Sequence, residues 1–148
     1  MTKKASRGFT LIELLVVMAI LGVLLLIVPP MFATSLSTAS LKAATRDVAA
    51  GLRQARSDAI VRNREIALVV DVEAGRLTIG DDASPKSLSP DITLRLHTAE
   101  SERVSDTVGR IRFFPDGSST GGGITLERDD RKYHVTVDWL TGQISIAE

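Results

Sequence analysis

RGFTLIELLVVMAILGVLLLIVPP, residues Arg7 to Pro30, is the stretch on which the fold turns. From Phe9 to Val28 its only charged side chain is Glu13. A helix of that length rises about 30 Å, the thickness of a bilayer's hydrocarbon core, so the run is predicted to span a membrane. An acid at the centre of such a helix costs about 2.5–3.5 kcal/mol on insertion scales, which makes an intramembrane carboxylate a functional-site candidate by default. Glu13 lies about 6 Å into the run, where snorkelling lowers that cost, so an ordinary anchor could carry it without giving it a task.

Outward from this run, Lys3, Lys4 and Arg7 all precede it and no acid does. Basic residues flanking a span stay on the cytoplasmic side, which places the carboxyl-terminal part outside. On the other flank Pro29 and Pro30 lack an N–H, and their rings clash with the preceding turn, so the helix is expected to kink or loosen there. A secretory signal peptide has a shorter apolar region, about 7–15 residues, followed by a small-residue site that Ala33-Thr34-Ser35 imitates only loosely. Cleavage between Gly8 and Phe9 is a third possibility. It would remove the cations, keep the anchor, and create an α-amino group one helical turn before Glu13. That amine, with an ordinary pKa of about 7.7–8.0, could neutralise Glu13 within the chain or on a neighbouring chain.

The segment Lys3–Leu25, KKASRGFTLIELLVVMAILGVLL, resembles the class III signal and N-terminal helix of type IV pilins and type II secretion pseudopilins. The resemblance implies cleavage by a prepilin peptidase after Gly8 and methylation of the new amino terminus at Phe9. It also implies that Glu13 is the assembly glutamate, which neutralises a neighbouring subunit's terminus as the subunit enters a filament. The family's helix-softening proline falls at Pro30, and Pro29 before it is a departure. The expected plan is a leader over residues 1–8, a transmembrane helix over 9–30, the periplasmic half of that helix over 31–63, and a β-rich head over 64–148.

The sequence has 148 residues, and about 120 remain beyond the leader and span, enough for one small domain with its own core. No cysteine is present, so neither disulfides nor a thiol nucleophile can contribute. Leu41, Ala44, Val48, Leu52, Ala55 and Ala59 recur at spacings of three and four, an apolar stripe on a helix to about Asn63. The period then changes to that of strands. Glu65–Val72 and Arg76–Ile79 read as a hairpin, and 81–91, with two prolines and three serines, as a loop. Ile92–Thr98, Arg110–Phe114, Ile124–Arg128, Lys132–Asp138 and Gln143–Ile146 are further strands. The predicted fold is α+β and pilin-like, a long helix packed on an antiparallel sheet. Between Leu41 and Arg64 six bases face two acids, and from Glu65 to Glu148 nine bases face fifteen acids. A helix of net +4 beside a head of net −6 suits lateral packing between subunits, or pairing within one chain.

IRFFPDGSSTGGGITL (Ile111–Leu126) and the following YHVTVDWLTGQISI resemble the carboxyl-terminal half of the GspH/FimT family, in which a PDG-type turn, a Ser/Thr-Gly-Gly stretch and an LTG hairpin recur. This resemblance implies a minor pseudopilin of the type II secretion filament, held in the bacterial inner membrane with a periplasmic head. Its partners would be other pseudopilins, the prepilin peptidase and the inner-membrane secretion platform. The alternative is a minor type IV pilin, including members that bind DNA. Nucleic acid is not expected here, because phosphate binding needs exposed cations and Arg128, Arg131 and Lys132, the head's compact basic group, are interleaved with Asp129 and Asp130. Gly117-Ser118-Ser119-Thr120-Gly121 matches the G-x-S-x-G nucleophile elbow, but the β-rich ITLER follows where a helix is required. No catalytic residue, metal site or cofactor is expected. His97 and His134 read as surface or edge residues.

Overall fold

The structure, a computed structural model, describes residues 9–80 and 84–148, and for residues 25–37 the backbone alone. The chain divides into two compact units, Met1–Ser37 and Thr38–Glu148, each described by itself. Helix α1 (Leu11–Arg62) begins in the first. Its backbone is helical at Pro29 and Pro30. Neither can donate a hydrogen bond, so the carbonyls of Leu25 and Leu26 lose their usual intrahelical partners. The described side chains from Phe9 to Leu24 are all exposed. Among the described residues no helix is long and apolar enough to cross a membrane; the described side chains stop short of the end of the apolar run.

In the second unit the head part of α1 turns one face inward. Leu41, Ala44, Val48, Leu52, Ala55 and Ala59 are all buried, as the spacing requires, and Thr45 and Ala49 join them. Thr45 satisfies its hydroxyl on Leu41 O at 2.9 Å, so a polar residue is tolerated in that face. The small residues bring the helix close to the sheet: a Cβ built on Gly51 would stand 3.7 Å from Leu68 and 3.8 Å from Ile79. The helix ends in a Schellman motif. Asn63 takes the left-handed conformation (φ 48°), with its N–H on Ile60 O and the Arg64 N–H on Ala59 O.

Among the described residues eight strands follow: β1 (Ile66–Asp71), β2 (Arg76–Ile79), β3 (Lys86–Ser87), β4 (Thr93–His97), β5 (Val108–Phe113), β6 (Gly122–Arg128), β7 (Arg131–Val137) and β8 (Ile144–Ala147). They form two four-stranded sheets, ordered β3-β2-β1-β5 and β4-β6-β7-β8, where one sheet was expected. Every pairing is antiparallel. Inward residues alternate along the strands, and Leu68, Val70, Ile111, Phe113, Ile124, Leu126 and Val135 meet the helical stripe in one core.

Some segments differ from their sequence reading; β5, for one, starts at Val108, two residues before the expected Arg110. Lys86–Ser87, inside the stretch read as a loop, pairs with Leu77 and Arg76 as a short edge strand. Asp81 and Asp82 from that stretch lie outside the described residues. Strand β6 starts at Gly122, two residues before the expected Ile124, so the last two of the three glycines belong to the strand. Gly122 has φ 130°, and a Cβ there would lie 2.5 Å from His97 O. Glycine is needed for the close approach of β4.

Candidate functional site

At the amino end, Thr10 Oγ1 accepts the Glu13 N–H at 3.3 Å and Thr10 O accepts the Leu14 N–H at 3.2 Å. Thr10 is the N-cap of α1 and Glu13 its third residue, the Thr-x-x-Glu spacing of a capping box. The sequence reading passed over this signal. It places the Glu13 carboxylate in the first turn, where the unsatisfied N–H groups and the helix dipole favour an anion. Phe9, immediately before the cap, is 83% exposed. Gly8, on the other side of the expected cleavage bond, lies outside the described residues, as do Lys3, Lys4 and Arg7.

In the head, the turns that carried the family resemblance come together on one residue of α1. Arg56 Nε donates to Gly117 O at 3.1 Å, and Arg56 Nη2 to Thr141 O at 2.9 Å. One guanidinium thus ties the Pro115-Asp116-Gly117 turn to the Leu140-Thr141-Gly142 turn. Gly142 is at φ +62°, and a Cβ on it would stand 2.2 Å from Gly117 O and 2.8 Å from Arg56 Nε. Each turn is also closed internally. Asp138 Oδ1 accepts the Thr141 N–H at 2.8 Å, the Thr141 hydroxyl at 2.8 Å and the Leu140 N–H at 3.1 Å; these bonds, the Thr141 N–H first, hold its carboxyl below the ordinary aspartate pKa. Asp116 is held low in the same way, first by the Ser118 hydroxyl and then by its N–H. The β7–β8 turn so braced presents Trp139 and Leu140, both about two-thirds exposed.

Other polar groups are absorbed by structure. Glu102, on the 3-10 turn Glu100–Glu102, is buried and receives Arg112 Nε at 3.1 Å and Nη2 at 3.3 Å. Arg112 Nη1 reaches Glu65 at 2.6 Å, and Arg110 Nε stands 3.3 Å from Glu102 at ion-pair distance without hydrogen-bond alignment. Glu65 first, and Glu102 second, hold the Arg112 guanidinium more firmly protonated. Ser119 of the G-x-S-x-G match is buried; its hydroxyl donates to Arg112 O at 2.8 Å and accepts the Gly121 N–H at 3.1 Å, and strand β6 follows. The strand–turn–helix of a nucleophile elbow is not formed. Arg128 pairs with Asp91, Arg131 with Glu148 and Lys132 with Glu127, so the basic group is neutralised residue by residue. His97 and His134 are exposed, His134 within 3.0 Å of the Thr125 hydroxyl.

The family model for type II transport protein GspH matches residues 44–142, from the first turns of the buried helical stripe to the glycine that seats the closing turn. The chain belongs to the GspH family. A second model, the prokaryotic N-terminal methylation motif, matches residues 3–29. Among GspH relatives, the chain is 28% identical over 142 residues to the type II secretion system protein H of Xanthomonas campestris pv. campestris, covering 96% of this chain and 83% of that protein. Its fold is similar to that of the minor pseudopilin EpsH from the type 2 secretion system of Vibrio cholerae, with a TM-score of 0.58 at 15% identity over 73% of this chain and 96% of the other. It is also similar to the type IV minor pilin FimU of Pseudomonas aeruginosa, at TM-score 0.51 and 18% identity over 72% of this chain and 92% of that one. These likenesses bear out the α+β, pilin-like fold. The GspH match also covers Arg56, Gly117 and Thr141, so the braced corner lies inside the family's shared part.

Proposed function

We propose that this chain is a minor pseudopilin of a type II secretion system, anchored in the bacterial inner membrane with residues 64–148 as a periplasmic head. It assembles near the tip of the filament and helps drive folded proteins across the outer membrane. The observation that carries this reading is the presence on one chain of the GspH match over 44–142 and the methylation motif over 3–29. A prepilin peptidase cuts between Gly8 and Phe9, and Phe9 is N-methylated. Residues 9–30 anchor the subunit, Pro29 and Pro30 soften the helix at the membrane surface, and residues 31–63 carry it into the head. The partners are other pseudopilins and the inner-membrane secretion platform.

Glu13 is the assembly residue. The cap supports this role physically: Thr10 fixes the first turn, so the carboxylate and the new amino terminus are held near one another at the entrance of the helix. Glu13→Ala is expected to insert and be cleaved normally but to enter filaments poorly. Secretion assays with cross-linking of sheared filaments check this, and normal incorporation with normal secretion would remove the assignment.

The likeness to FimU favours one alternative, a minor type IV pilin. Restoration of secretion in a strain lacking its own protein H, without restoration of pili in a strain lacking a minor pilin, separates the two.

A further inference from the structure

On the head part of α1 the cations fall into two groups. Arg56 is spent on the two turns, and Arg62 lies 4.0 Å from Asp58. Lys42, Arg46 and Arg53 are exposed and make no hydrogen bond or ion pair among the described residues. At 3.6 residues per turn these three point within about 40° of one another and span about 16 Å of helix. The helix's acids, Asp47 and Asp58, point roughly 100° or more away from them, where Asp47 pairs with Lys86 at 3.0 Å. Ile60, 45% exposed, lies on the same line as Lys42. It sits against Gly117, whose carbonyl shares Arg56 with Thr141.

We infer that this flank of α1 is a docking surface for the acidic head of a neighbouring pilin-like subunit, with Lys42, Arg46 and Arg53 reading carboxylates and Ile60 supplying an apolar anchor. The inference rests on the pseudopilin reading and adds to it which surface of the head meets the next subunit. Charge complementarity identifies the occupant. The chain's own head, from Glu65 onward, has nine bases against fifteen acids. A pilin-like neighbour of similar balance would bring unpaired carboxylates to the three unpaired cations, and charge pairs across an interface set register and suppress wrong partners. An apolar anchor beside a polar, charged rim is the usual composition of an interface.

The test uses the full chain in cells that make the complete secretion system. A photo-cross-linking residue replaces Ser57, which is exposed on the same flank. It is expected to capture a pseudopilin through a peptide rich in Asp and Glu. The variant Lys42→Glu/Arg46→Glu/Arg53→Glu should reduce that capture about tenfold or more at low salt, leave the melting temperature essentially unchanged, and be rescued by reversing the captured acids. Capture that is insensitive to charge reversal and to salt overturns the proposal. So does duplex DNA bound by wild type and lost in the triple variant while capture persists. If the wild-type chain is absent from sheared filaments altogether, the pseudopilin reading fails as well; if it is present and the triple variant equally so, the docking surface alone fails.

Discussion

At the scale of single residues, Arg56, Gly117 and Gly142 hold the far corner of the head with two charge-assisted hydrogen bonds and one glycine contact. Truncating Arg56 to Ala leaves two turn carbonyls without their donor, a loss of about 1.5–3 kcal/mol for each bond to a charged group at full burial and less at this half-exposed site. Gly142→Ala should be the more damaging of the two, because it combines a left-handed φ with a clash against backbone. Thermal melting of the full chain in detergent measures both, and a Gly142→Ala protein as stable as wild type would show that the corner does not need the glycine. Asp138 makes a pH prediction. Its native pKa is depressed, so its contribution is present above the ordinary carboxylate value of 3.8 and is lost as pH falls through the lower native value. Asp138→Asn should therefore melt lower than wild type at neutral pH, with the gap narrowing once acid titrates the native carboxyl.

At the scale of elements, α1 does two jobs divided along its length. Its exposed apolar start is fit for lipid or other helices, and the stripe from Leu41 to Ala59 fits the sheets. Leu52→Ala, at the centre of that stripe, is expected to cost about 2–5 kcal/mol, read as a fall in denaturation midpoint. Replacing Pro29 and Pro30 with Ala restores the N–H donors that the carbonyls of Leu25 and Leu26 lack, and hydrogen exchange should then slow across that turn; unchanged exchange would mean that the prolines do not soften the helix. The stripe was legible because period 3.6 survives even when half its members are alanine. Thr45 was missed because a hydroxyl bonded to its own helix reads as polar, and Ala49 because its neighbour Val48 already holds that place in the spacing. Strand β3 was missed for a different reason: two residues between proline and serines form a strand only because β2 offers a partner. The start of β6 was misread because glycine signals a turn locally, and the contact that demands it, with His97 O, comes from a distant strand.

At the scale of the whole molecule, the α+β class and the pilin-like fold follow from a long helix joined to strand-period sequence, and relatives of similar fold bear them out. The break into two sheets was not legible, since it depends on which strands become neighbours and no local pattern encodes that. Nor was the meeting of the PDG and LTG turns on Arg56, although each turn is part of the family resemblance. The motif at the amino end works in the opposite way, for the processing and assembly proposed for it are events outside a single folded chain. The most direct measurement is the intact mass of the protein extracted from the membrane of its own host. A chain beginning at Phe9 and carrying one added methyl group is expected. A chain that still holds residues 1–8, or one that begins near Thr34, would contradict the proposed processing.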